Sequence, residues 1–87
     1  MYLARVIGNV VSTSKNEKLI GMKLMVVEFL GKNQVPTDHT EISVDSCGAG
    51  IGETVIVCKG STARGIFGGE APVDSAIVGI IDTVETV

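Results

Sequence analysis

Tryptophan is absent from this chain, and the aromatic side chains are three: Tyr2, Phe29 and Phe67. Proteins that hold single-stranded nucleic acid stack bases on aromatic faces and follow the phosphates with basic residues. Neither resource is here. Seven scattered lysines and arginines stand against ten carboxylates, a net charge of −3, and no basic stripe exists to replace phosphate counterions. The longest apolar stretches span five or six residues, too few to cross a bilayer. Cysteine is scarce too: Cys47 and Cys58 are separated by ten residues with no CxxC, which reads as a pair of free thiols in a reducing, cytosolic compartment. With His39 as the one histidine, a structural zinc site lacks ligands. The sequence therefore predicts no metal, no cofactor, no nucleic acid and no membrane.

What the chain does have is glycine, 11 in all, and an apolar content of 45%. Its 87 residues make a single domain covering 1–87. A domain of this size buries only roughly 60–65% of its unfolded surface, yet the mean hydropathy is +0.42. That surplus of apolar surface predicts an oligomer that hides the remainder between subunits. The run DSCGAGIGETVIVCKGSTAR, residues 45–64, concentrates the signal. Gly48, Gly50 and Gly52 alternate with Ala49 and Ile51, and Ser61, Thr62 and Ala63 keep a second turn small before Arg64. Without Cβ atoms, main chain approaches main chain closely. The run invests in backbone packing rather than in reactive side chains, which points to assembly rather than catalysis.

Segments of strand character dominate. Residues 2–12, 22–30, 40–45, 53–59 and 77–85 read as five strands, with Gly79 marking a bulge in the last. The polar connection 14–21 and the Gly- and Pro-bearing stretch 31–39 read as turns. Pro72 followed by Val73-Asp74-Ser75-Ala76 predicts one short helical turn, with Asp74 placed to hold its N-terminus. The N-terminus lacks a basic start followed by a cleavage site, so it reads as the first strand rather than a signal peptide. Five strands of this length with turn signals between them suit an all-β, small five-stranded OB-like barrel with one short helix.

Candidate chemistry is thin. GAGIG has the spacing GxGxG rather than GxGxxG and precedes a strand rather than a helix, so it reads as a structural turn, not a dinucleotide loop. Lys59-Gly60-Ser61 reverses the order that a P-loop requires. His39 beside Asp38 lies in a polar loop without a nucleophile nearby in sequence and reads as solvated. Cys58 reads as a small hydrophobe on a strand, and Cys47, beside the glycines, as exposed and without an activating cation adjacent in sequence. Asp45, Glu53, Asp74 and Asp82 read as capping and ion-pairing groups, because acid–base catalysis needs two carboxyls at a defined separation. Arg64 is placed to reach a neighbour's carboxylate bidentately.

Over essentially its whole length the chain resembles the bacterial microcompartment vertex proteins, the EutN/CcmL family. The resemblance rests on LARVIGNVVSTSK, LIGMKLMVVEFL, VDSCGAGIGETVIVCKGSTAR and PVDSAIVGIIDTVE in that order; Thr62 stands where the family usually has Ser, and the 65–70 loop lies in a variable region. It implies a small β-barrel related to the OB-fold, a homopentamer, hexameric shell proteins as partners, a cytoplasmic location in a microcompartment shell, and no enzymatic activity. On this reading Gly48, Ala49, Gly50, Gly52, Ser61, Thr62, Ala63 and Arg64 lie at subunit interfaces or the axial pore. Five copies carry 5 × −3 = −15, which favours solubility. Two other classes compete: an OB-type binding module for single-stranded nucleic acid or a small ligand, and a small enzyme using His39 or Cys47.

Overall fold

Aliphatic residues at alternate positions send one face of each strand inward. In the computed structural model, which describes residues 1–13 and 15–86, Ala4 and Val6 of β1 (Tyr2–Asn9), Met25, Val27 and Phe29 of β2 (Lys23–Leu30), and Val55 and Val57 of β4 (Thr54–Lys59) meet Ile77 of β5 (Ser75–Ile81) in one core. With β3 (Pro36–Asp45) the strands close a barrel in the order β1-β2-β3-β5-β4. Every pairing is antiparallel except β3 with β5, which is parallel and short: Val44 opposite Ala76 and Asp45 opposite Ile77.

A second apolar layer lies outside the barrel. Ala63, Ala71 and Val73 pack on Val44 and Ala76, with Leu24, Cys58 and Phe67 at the margin. Cys58 faces this outer layer, opposite to Val55 and Val57. Ala63 comes from the single α-helix among the described residues, α1 (Ser61–Ile66). The five-stranded barrel with one short helix is therefore as the sequence predicts, but the helix is not where Pro72 placed it. Residues 71–74 form no helix: Val73 N donates to Ala71 O at 2.8 Å in a tight turn about Pro72, with Ala71 and Val73 buried and Pro72 and Asp74 exposed. Their alternating polarity matches the groove they cover, and that burial outweighs the preference of Pro72 for a first helical turn. Asp74 caps nothing helical; its carbonyl accepts from Gly60 N at 2.8 Å.

The strand limits also move. β1 stops at Asn9 instead of 12, although Val10 N still donates to Leu24 O at 2.9 Å. β3 begins at Pro36 instead of 40, because Lys32–Gln34 make a tight 3-10 turn with Asn33 and Gln34 at φ 59° and 60°. The turn is thus shorter and more ordered than the polar stretch 31–39 implies. β5 starts at Ser75 and ends at Ile81 rather than spanning 77–85. Its irregularity falls beside Gly79, where Val78 has no partner between the pairs Ile56–Gly79 and Val57–Ile77. A Cβ on Gly79 would sit 3.3 Å from Ile56 Cδ1, so the barrel's close approach there favours glycine.

Two buried hydroxyls pin the parallel seam. Ser43 and Ser75 are 0% and 1% exposed, and their Oγ atoms are 2.7 Å apart. Removing one leaves the other unpaired in an apolar setting, which costs about 1–3 kcal/mol. Ser43→Ala is expected to destabilise the protein by that amount. Adding Ser75→Ala should restore much of the loss, read as urea midpoints at one protein concentration.

Candidate subunit-contact site

The glycine cluster forms a turn braced by its own carboxylates. Asp45, at the end of β3, has a side chain 2% exposed; its Oδ2 accepts from Ala49 N at 2.9 Å and its Oδ1 from Cys47 N at 3.1 Å. Lys23 Nζ completes the brace, 2.6 Å from the carbonyl of Ala49 and 3.6 Å from Asp45 Oδ2. Glu53 Oε1 accepts from Gly50 N at 2.6 Å, and Gly52 N donates to Val6 O at 2.8 Å. Gly48 and Gly52 take φ of 82° and 92°, the left-handed region where side chains with a Cβ are strained. Asp45 and Glu53 thus cap and pair, as their positions in the sequence imply.

Within that turn the members differ. Ala49 is wholly buried in the barrel core, where it plugs one end. Gly48 and Gly52 are exposed, Gly50 is half-buried, and Ile51 stands out at 61% exposure. Cys47 is exposed, and partial burial together with the Asp45 and Glu53 charges raises its thiol above the usual range, against a weaker opposite pull from Lys23. A thiol so placed is less, not more, nucleophilic at neutral pH.

The second candidate group sits at the other end of β4. Gly60, at φ 76° and ψ −151°, turns the chain into α1, a region open essentially to glycine alone. Thr62 Oγ1 donates to Lys59 O at 3.0 Å. Ala63 points into the outer apolar layer and is 0% exposed, while Ser61, Thr62, Arg64 and Ile66 face outward. Arg64 makes no ion pair within the chain among the described residues. The structure therefore does not gather the eight candidates into one patch. Six residues of β4 separate the two groups, roughly 20 Å at the rise of a strand, and Ala49 and Ala63 belong to the chain's own interior.

Sequence reasoning missed a third cluster, at the mouth of the barrel. There the inward faces end in Tyr2, Phe29, Glu41 and Lys59, around a cavity of about 430 Å³. Glu41 Oε1 pairs with Lys59 Nζ, and Glu41 Oε2 lies 3.1 Å from His39 Nε2. The 31–39 stretch reads as a solvated loop, but β3 begins early enough to bring His39 edge-on to Phe29, with centroids 4.9 Å apart. The period-two alternation of 37, 39 and 41 was the available signal. Burial raises the Glu41 carboxyl, but hydrogen bonds and charge from Lys59 and His39 outweigh it and hold it below its usual 4.5. A depressed folded-state value adds stability above pH 4.5 that is lost as pH falls through the lower folded value. Glu41→Gln is therefore expected to flatten the acid limb of a stability-against-pH curve, its effect vanishing once the carboxyl is protonated in both the folded and the unfolded chain. Among the described residues no His, Cys, Asp and Glu cluster suits a metal ion, and no helix is long and apolar enough to cross a membrane.

Residues 1–82 match the family model described as ethanolamine utilisation protein EutN/carboxysome. The chain belongs to the EutN/CcmL family. Among its relatives, the bacterial microcompartment shell vertex protein GrpN of Rhodospirillum rubrum is 56% identical, over 100% of this chain and 99% of the relative. The carboxysome shell vertex protein CcmL of a Synechocystis species is 49% identical, over 97% and 85%. The solved GrpN structure, a pentameric microcompartment shell protein, superposes with a TM-score of 0.92 at 55% identity, covering 100% of both chains. The superposition covers the whole barrel of both chains.

Proposed function

We infer that this chain is a shell protein of a bacterial microcompartment, forming homopentamers that cap the five-fold vertices. The observation that carries the reading is the 56% identity, end to end, with a shell vertex protein whose solved form is pentameric. The role is structural rather than enzymatic, in keeping with the names its relatives bear. The partners are hexameric shell proteins tiling the facets, and the location is the shell itself, in the bacterial cytoplasm.

The mechanism is geometric. A ring of five needs a heterologous contact, one surface meeting a different surface on the next copy, and closure ends growth. The fold offers two unlike surfaces at the two ends of β4. One is the braced turn with Gly48, Gly50 and Gly52; the other is α1 with Ser61, Thr62 and Arg64. Each carries an exposed isoleucine, Ile51 at 61% and Ile66 at 44%, of a kind that contributes roughly 1.5–3 kcal/mol when fully buried. Small residues let the main chains meet closely, and the stiff turn fixes the angle between neighbours. Five wedges held at one angle supply curvature that a flat sheet of hexamers lacks.

Deleting the gene tests the role. Shells assembled without the protein should remain open or elongated by electron microscopy and leak encapsulated small molecules, and expression in trans should restore closure. Closed, polyhedral, non-leaking shells in the deletion strain would refute it.

A further inference from the structure

The mouth of the barrel has the makings of a small-molecule binding site. The wall is open there because β3 between Pro36 and Ile42 pairs with β2 alone, and β5 joins it only at Val44 and Asp45. Tyr2 and Phe29, stacked on each other with centroids 5.0 Å apart and planes at 28°, line the mouth with apolar surface. Mouths of β-barrels are common sites for small ligands, which are held by apolar walls and a few polar groups. A volume of about 430 Å³ holds one ring with a short substituent.

The hydrogen-bonding capacity left in the cavity decides the ligand's charge. Both Glu41 oxygens are engaged, one by Lys59 and one by His39, so a cationic ligand meets the repulsion of the Lys59 ammonium already paired there. Lys59 has three N–H donors and spends one on Glu41, whereas His39, with Nε2 turned to the Glu41 carboxylate, presents its other ring nitrogen as an acceptor when the imidazole is neutral. Lys59 thus keeps two unspent N–H donors facing the cavity. We propose that this mouth binds a small organic carboxylate, its apolar body on Phe29 and Tyr2 and its anion on Lys59. Glu41 then acts as a brake, since its charge orients Lys59 but repels the incoming anion. The proposal does not depend on the vertex assignment.

Titration calorimetry on the full-length protein as it assembles, with benzoate as the probe, tests this. Benzoate is expected to bind saturably, with benzamide and benzylammonium each weaker by about ten-fold or more, as loss of one charge-assisted hydrogen bond implies. Lys59→Met should weaken benzoate by a similar factor, whereas Glu41→Gln, which keeps the size and removes the repelling charge, should tighten it. A purely structural ion pair would not give that opposite sign. No saturable benzoate binding, equal affinity for benzamide, or tighter binding of benzylammonium overturns the proposal. The wild-type probe series decides alone if a variant does not fold.

Discussion

Replacing Ile77 with alanine is expected to lower stability by about 2–5 kcal/mol, the range for deleting a large buried aliphatic side chain. Ile77 is 0% exposed and belongs to the central cluster with Val6, Val27 and Val57. Its strand position also joins two seams, since it pairs with Asp45 in parallel and with Val57 antiparallel. Its carbonyl accepts from Ser46 N at 3.2 Å and Ser46 Oγ at 2.6 Å. A cavity there loosens the barrel where β3 and β5 share only two pairs of residues. Each kcal/mol lost shifts the melting temperature by roughly 4–8 °C in a domain of this size, so a fall of at least about 8 °C is expected. Val11→Ala, at a side chain 93% exposed, should change stability by less than about 0.5 kcal/mol. Both comparisons belong at one protein concentration, because assembly stabilises by mass action. A loss below about 1 kcal/mol for Ile77→Ala would mean that the barrel closes in another way.

Reversing the charge of Arg64 is expected to dissolve the ring. The residue is exposed in the isolated chain and has no ion-pair partner there, so a guanidinium on the surface of α1 is free to meet a carboxylate on the next copy. Removing one member of a desolvated, hydrogen-bonded charge pair at an interface costs about 2–5 kcal/mol, and a five-fold ring repeats the loss at every contact. Arg64→Glu should therefore sediment as a 9.0 kDa chain at micromolar concentration, with the circular dichroism of the barrel unchanged. Arg64→Lys should give a weakened ring, since an ammonium keeps the charge but not the two-pronged geometry. An Arg64→Glu variant that keeps the wild-type mass would remove α1 from the contact surface.

The fold was legible where side-chain alternation is strong. Val55 and Val57 point into the core while Cys58, next along the strand, faces the outer layer, as alternation along that strand requires. It was illegible where packing overrode local preference. Pro72 looks like a helix start, yet Ala71 and Val73 on either side of it are buried in the outer apolar layer and joined by a tight turn, while Ser61-Thr62-Ala63 looks like a turn and becomes helical once Gly60 has reversed the chain. The candidate contact residues were legible as small and glycine-rich. Their separation by β4, and the inward placement of Ala49 and Ala63, were not, because composition along a chain does not say which end of a barrel a turn occupies. The mouth with Glu41, His39 and Lys59 escaped notice for the same reason: its members lie on two strands 18 residues or more apart and meet only when the barrel closes.

Native mass spectrometry of the full-length protein, at low micromolar concentration and physiological salt, weighs the particle directly. A single dominant species of about 45 kDa, five times the 9.0 kDa chain, is the result expected of a ring with five-fold closure. A dominant 9.0 kDa species, or any even-numbered assembly, would contradict it.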